Sequence, residues 1–179
     1  VTIPDHQGPL SAFSSSFIHG HASLDSIRAT LNFEKLKLDP KSAVVGMGYS
    51  GGAIAGGWAA SLLGSYATEL NVVGWSIGGT PSNVTGTFYG LDGSLFSGFS
   101  VAGVAGIVDS YPEVNDYVGS VITPAGNAAL QFTREHCMGD IRSRTPKCES
   151  HRERLCEKRE KLFNGQANCS HSRPSYYGD

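Results

Sequence analysis

GMGYSGGAIAGGWAASL, residues 46–62, sets one serine among glycines, behind a short apolar run and ahead of a stretch of small residues. The run before it, residues 43–47, is apolar and bounded, which fits a strand buried in a parallel sheet. Residues 51–66 fit a helix whose first turns are nearly bare of side chains. Gly48-Tyr49-Ser50-Gly51-Gly52 thus matches G-x-S-x-G in the context that gives the motif meaning, strand before and helix after. A serine at such a junction sits on a strained turn where side chains two positions before and two after collide. Gly48 and Gly52 are expected to relieve that collision. The hydroxyl then projects above the start of a helix, where the dipole favours developing negative charge. The backbone N–H of Gly51 is placed to bond a tetrahedral oxyanion. Ala53, Ala55, Gly56 and Gly57 let the helix approach the strands closely. The rival for a glycine-rich strand-to-helix turn is a phosphate cradle. Neither G-x-G-x-x-G nor G-x-x-x-x-G-K-[ST] fits, and no lysine stands nearby, so the nucleophile is preferred.

Outward from this point the pattern is α/β. From residue 10 to 31, Phe13, Phe17, Ile18, Leu24, Ile27 and Leu31 keep one face apolar at helical spacing. Gly8 and Pro9 break the chain before that helix, and Pro40 ends the segment after it. LNVVGWSIGG, residues 70–79, reads as the next strand. The order helix, strand, helix, strand implies a mostly parallel sheet. After Thr80 the chain is rich in small residues without alternation. Three helices are expected there, around residues 95–108, 113–121 and 125–137, and no strand.

Composition excludes more than it assigns. The chain has 179 residues, enough for one domain or one domain with an appendage. A hydrophobic content of 40% with 23 glycines is globular, neither disordered nor a coiled coil. A net charge of -2 gives no reason to expect nucleic acid or an anionic membrane. The average hides a break: residues 1–141 hold 5 Lys+Arg against 11 Asp+Glu, and residues 142–179 hold 9 against 5. Such a shift marks a boundary near Ile141. Val1 to His6 reads as a strand end running into a loop and carries no signal peptide, so the true N-terminus is expected upstream and the chain is expected to be a fragment.

A serine needs a base oriented by an acid. On a sheet of this kind the order is Ser, then Asp or Glu, then His, on loops after later strands. Asp92, Asp109, Glu113, Asp116 and Asp140 follow Ser50, as do His136, His151 and His171, and none of them follows a strand. Asp109, Glu113 and Asp116 read as helix caps or solvent-facing groups, and His136 as a helix end. The triad Asp and His are expected to lie outside this chain.

VTIPDHQGPLSAF, GHASLDSIRA, GYSGGAIAGGWAASL, SYATELNVVGWSIGGTP and GSLFSGFSVAGVAGIVDSYPEV together resemble the fungal secretory lipases of the lipase-A type. The likeness covers residues 1–141. It implies an α/β-hydrolase fragment: a partial core with the nucleophile elbow over residues 1–82, and part of a helical cap over residues 83–141. It implies hydrolysis of triacylglycerols and other carboxylic esters at a lipid–water interface by a Ser-Asp-His triad, outside the cell, with a signal peptide upstream. Ser50 matches the family's nucleophile and Gly51 one of its oxyanion donors. The second donor of the family lies before Val1, and the triad Asp and His lie well beyond Ile141. No cofactor is implied, nor any nucleic-acid partner. Oligomeric state is not legible.

Residues 142–179 depart from the family pattern and read as a frame change, a read-through intron or a misjoined gene model. The rival is a genuine small module. Cys148, His151, Cys156, Cys169 and His171 contain no C-x-x-C pair, so a metal site is not expected. Asn83-Val84-Thr85 and Asn168-Cys169-Ser170 are N-glycosylation sequons. Cys137 falls where a secreted parent forms disulfides, with no partner evident. Two other functional readings remain beside the truncated lipase: a non-catalytic remnant or binding module, and an acyltransferase using the same elbow.

Overall fold

The structure, a computed structural model, describes residues 1–137 and 139–141. Strand β1, Val44–Tyr49, and strand β2, Val72–Gly78, pair in parallel, with Val45 opposite Gly74 and Tyr49 opposite Gly78. Parallel neighbours need a crossover, and the helix α2, Gly51–Tyr66, provides it. Its bounds are those expected from the sequence.

Helix α1, Ser16–Leu31, lies along α2. Leu24, Ile27 and Leu31 of α1 meet Ala59 of α2 and Ala67 just beyond it, and Val44, Leu62, Leu63, Val72 and Trp75 close the cluster. Leu24 is fully buried, a contribution of roughly 1.5–3 kcal/mol from area removed from water. The apolar run at the N-terminus does not form one long helix from residue 10. A single 3-10 turn, Gly8–Leu10, comes first, and Ser11 and Ser14 then take left-handed φ of 47° and 68°. Phe13 therefore sits in a loop rather than on the helix face. An Arg28 side chain ties the far ends of the helix pair together, donating to Glu69 at 2.5 Å and to the Tyr66 carbonyl at 2.5 Å while stacking over the Tyr66 ring.

The apolar run of β1 predicts burial on both sides, but only one of its faces is covered. α2 packs on that face; Val45, Met47 and Tyr49 point away from it and stand 63%, 83% and 76% exposed.

Between β2 and His136 the chain forms four helices where three are expected: α3 Val84–Leu91, α4 Ser97–Ser110, α5 Pro112–Val121 and α6 Pro124–Glu135. α3 is the addition. It is eight residues long, contains Gly86 and Gly90, and buries none of its residues, so it leaves no periodic signal. α5 and α6 both start on proline, whose fixed φ suits a first helical position. The Thr123 hydroxyl caps α6 by accepting from the Gly126 N–H at 3.0 Å. Val101, Ala105 and Leu130 form a second apolar cluster, and Arg134 grips Asp109 through both carboxylate oxygens at 3.0 and 2.6 Å. Asp109 therefore joins α4 to α6 instead of capping a helix or facing water. Where α4 passes the Phe13 loop, a Cβ on Gly106 would overlap the Phe13 backbone, so only glycine permits this approach. Among the described residues no helix is long and apolar enough to cross a membrane.

Replacing Leu24 by alanine should lower unfolding free energy by about 2–5 kcal/mol in urea titrations, through lost burial and a residual cavity. The same change at Leu10, which is half exposed, should stay within roughly 0.5 kcal/mol.

Candidate active site

Ser50 ends β1 and caps α2 with φ 52° and ψ -114°, a conformation that costs a non-glycine residue on the order of 1–3 kcal/mol. Backbone hydrogen bonds hold it there. Its N–H donates to the Gly78 carbonyl of β2 at 3.0 Å, and its own carbonyl accepts from Ala53 and Ile54 at 3.0 and 3.1 Å. The turn brings the start of α2 back against β1: a Cβ on Gly48 would overlap the Gly52 carbonyl and stand 2.9 Å from the Ala53 nitrogen. Gly48 is thus obligatory. The expectation for Gly52 fails. A Cβ there meets nothing within 4 Å, because α2 carries that position away from the strand. Gly51 opens the helix, so its N–H has no intrahelical acceptor and is available to an incoming oxygen.

Ser50 and Gly51 open into a cavity of about 730 Å³. Ala53, Ile54, Gly57 and Trp58 of α2 form its floor. Phe13, Ser14 and Ser16 form one wall, and Val84, Phe88 and Leu91 of α3 with Phe96 and Phe99 form the other. Phe13 and Phe99 approach with ring centres 6.5 Å apart, so the aromatic side chains of two distant segments meet across the space. Of the described residues lining the cavity, none is a histidine or a carboxylate. Apart from the Trp58 indole, the polar side chains there are hydroxyls of serines and threonines. The surface suits an apolar chain beside a single reactive oxygen.

Other residues singled out in the sequence lie elsewhere. Glu113 and Asp116 are exposed on α5, and Asp140 is exposed near the end of the described chain. His136 stacks on Phe132 with ring centres 3.9 Å apart, its Nδ1 2.9 Å from the Phe132 carbonyl oxygen. Cys137 is exposed. Asn83 caps α3, its Oδ1 accepting from the Gly86 N–H at 2.8 Å. Cys148, His151, Cys156, Asn168, Cys169 and His171 fall outside the described residues. Among the described residues no group of three His, Cys, Asp or Glu side chains could hold a metal ion.

One residue that sequence reasoning missed supports the site from behind. His19 is fully buried, and its Nε2 lies 2.6 Å from the Ala12 carbonyl oxygen. That bond anchors the loop carrying Phe13, whose ring lies against Gly51 closely enough that an added Cβ there would meet it at 3.3 Å. Burial pushes the His19 pKa below its usual value; the bond to Ala12 opposes this, and the nearby His6, in edge contact at 4.8 Å, adds to it. No local pattern reveals His19, because its partner belongs to a loop made by two left-handed serines.

The chain belongs to the secretory lipase family, whose model matches residues 1–169. The secreted triacylglycerol lipase LIP5 of Malassezia globosa is 99% identical over 141 residues, 79% of this chain and 30% of that protein. The secreted triacylglycerol lipase LIP1 of Malassezia furfur is 53% identical over 146 residues, 82% of this chain and 30% of that protein. The X-ray structure of Candida antarctica lipase A in its closed state superposes with a TM-score of 0.78 at 36% identity, covering 87% of this chain and 36% of that one. A second structure of the same lipase gives 0.79 at the same identity. The fold is thereby that part of an α/β-hydrolase which holds the strand–serine–helix junction. The chain spans about 30% of the length of these curated relatives.

Gly48→Ala should destabilise the protein by about 1–3 kcal/mol through overpacking, whereas Gly52→Ala should be neutral or stabilise by up to about 1 kcal/mol, as alanine does inside a helix. Urea midpoints of the two variants check the contrast. For His19, the folded state binds its proton less readily than the unfolded state, so stability is complete above the ordinary histidine pKa and declines as pH falls below about 6.5. His19→Gln should flatten that acid-side slope of the melting temperature.

Proposed function

We propose that this chain carries the nucleophile of a secreted triacylglycerol lipase, acting on carboxylic esters at a lipid–water interface. The observation that supports this most is the position of Ser50: a strained serine at a strand-to-helix junction, opening beside a free helix-terminal amide into an apolar cavity. The names of the Malassezia relatives agree with the substrate class and with secretion.

On this reading the Ser50 Oγ attacks the ester carbonyl carbon, and the carbonyl oxygen becomes an oxyanion that the Gly51 N–H stabilises. Collapse expels the alcohol and leaves an acyl-enzyme at Ser50, and water then releases the fatty acid. Each step needs a base to take or return a proton. The described lining residues offer none, and on this reading the triad Asp and His and the second oxyanion donor come from parts of the lipase other than residues 1–141. Helices α3 to α6 form part of a helical cap over the acyl chain. By itself the chain has little activity. Its second reading, a non-catalytic remnant, is supported by the apolar face of β1 that the described residues leave uncovered.

Fluorophosphonate labelling tests the assignment. In the full-length Malassezia globosa relative, alanine in place of the serine corresponding to Ser50 should abolish labelling and lower turnover of a p-nitrophenyl ester by on the order of 10⁶-fold. In the isolated chain, labelling should not exceed that of Ser50→Ala. Label that the full-length alanine variant retains would place the nucleophile elsewhere. Adding an alcohol acceptor and analysing products separates hydrolysis from acyl transfer.

A further inference from the structure

Asn83-Val84-Thr85 has the sequon pattern and lies at the start of α3. Asn83 has extended backbone, φ -113° and ψ 96°, and its side chain folds over the start of α3. Oδ1 is committed to the Gly86 N–H at 2.8 Å. Asn83 itself is exposed, so its amide is open to modification. Residues 82–86 are exposed throughout, so a bulky substituent on Nδ2 meets no wall. The threonine two residues on, which a sequon requires, is exposed with them. Ser82 and Val84 belong to the lining of the cavity above Ser50, so Asn83 stands at its rim.

We propose that Asn83 is an N-glycosylation site whose glycan stands at the rim of the acyl cavity while the same side chain continues to cap α3. The donor is an oligosaccharide carried on a polyprenyl diphosphate, transferred by the host's glycosylating enzyme. The Asn83 nitrogen attacks the anomeric carbon of the first sugar and a C–N bond forms. The bond from that carbon to the diphosphate oxygen breaks, the diphosphate leaves with the electron pair, and the amide loses one proton. Nδ2 keeps its second hydrogen and Oδ1 keeps both lone pairs, so the acceptor of the Gly86 N–H survives the modification. Val84, the next residue, is exposed and apolar and lines the mouth of the cavity. The proposal rests on the secreted reading, because glycan transfer occurs only along the secretory route.

The test is a peptide map of the 179-residue chain expressed behind a secretion leader in a glycosylating yeast, with lumenal and secreted material pooled. Peptide N-glycosidase converts a glycosylated asparagine to aspartate, so the peptide containing residue 83 should be recovered in the aspartate form. Thr85→Ser should retain the conversion and Thr85→Ala should lose it. Enzyme-treated wild type and Asn83→Asp are then the same polypeptide at that position and should melt together, because aspartate also caps a helix. Asn83→Ala should melt lower than both. An unmodified Asn83 peptide from wild-type chain that reached the lumen would overturn the site. Glycosylated wild type that melts no higher than Asn83→Ala would overturn its double role. No ester hydrolysis enters these readouts, so the result is separate from the fate of the lipase assignment.

Discussion

The geometry at Ser50 constrains almost everything around it. A positive φ at the end of β1 reverses the chain sharply enough for α2 to start against the strand it has just left. Ordinary side chains forbid that reversal, and the missing Cβ of Gly48 makes the room. The Ser50 N–H then reaches Gly78 at the end of β2, so the strained residue is also a pairing residue of the sheet. Two parallel strands, their crossover helix and the exposed serine are consequences of one local conformation. The α1–α2 cluster around Leu24 compensates the strain, since burial of that size exceeds the cost of a single unfavourable φ.

A second close approach decides where the cavity lies. Gly106 lets α4 rest on the Phe13 backbone, and His19 fixes the same loop from below through Ala12. Phe13 is held between α4 and the first residue of α2. The space between these supports, roofed by the short α3, is the cavity. α3 buries none of its own residues and hangs on the Asn83 cap at its start. The wall of the cavity formed by α3 is therefore its least anchored part, and the wall beside Phe13 its best anchored.

How much of this can be read from the sequence depends on the range of the interaction. The elbow and α2 are legible because strand, glycines, serine and helix lie within about two dozen consecutive residues and each local preference agrees with the fold. The strands are legible to within two residues. α3 is hidden because two glycines and a length of eight residues erase its period. The open face of β1 is hidden because an apolar run looks the same whether or not a second layer covers it. The Asp109–Arg134 pair spans 25 positions and the His19–Ala12 bond passes through two left-handed serines, so neither leaves a local trace. Gly52 departs from expectation because the crowding at the elbow is not symmetric about the serine: a Cβ on Gly48 overlaps the Gly52 carbonyl, and one on Gly52 meets nothing within 4 Å. A family resemblance supplied what spacing could not, the kind of reaction such a serine performs.

Preorganisation and activation are separable at this site. The strained Ser50, the Gly51 amide and the lining of the cavity come from residues between Phe13 and Phe99, with Ala12 and Gly106 holding the Phe13 loop in place. In other serine hydrolases elements of this kind orient the substrate and stabilise charge on its oxygen, and that share of catalysis survives the loss of a base as about 10³–10⁴-fold over water. Raising the nucleophilicity of the hydroxyl needs a proton acceptor within about 3 Å of Oγ, and among the described lining residues no side chain can serve. The fold thus places the costly conformational strain in the compact unit β1–α2–β2. The acid and base belong on loops after later strands, where they need only reach a nucleophile that is already in place. A serine hydrolase assembled in that order is shaped before it is reactive.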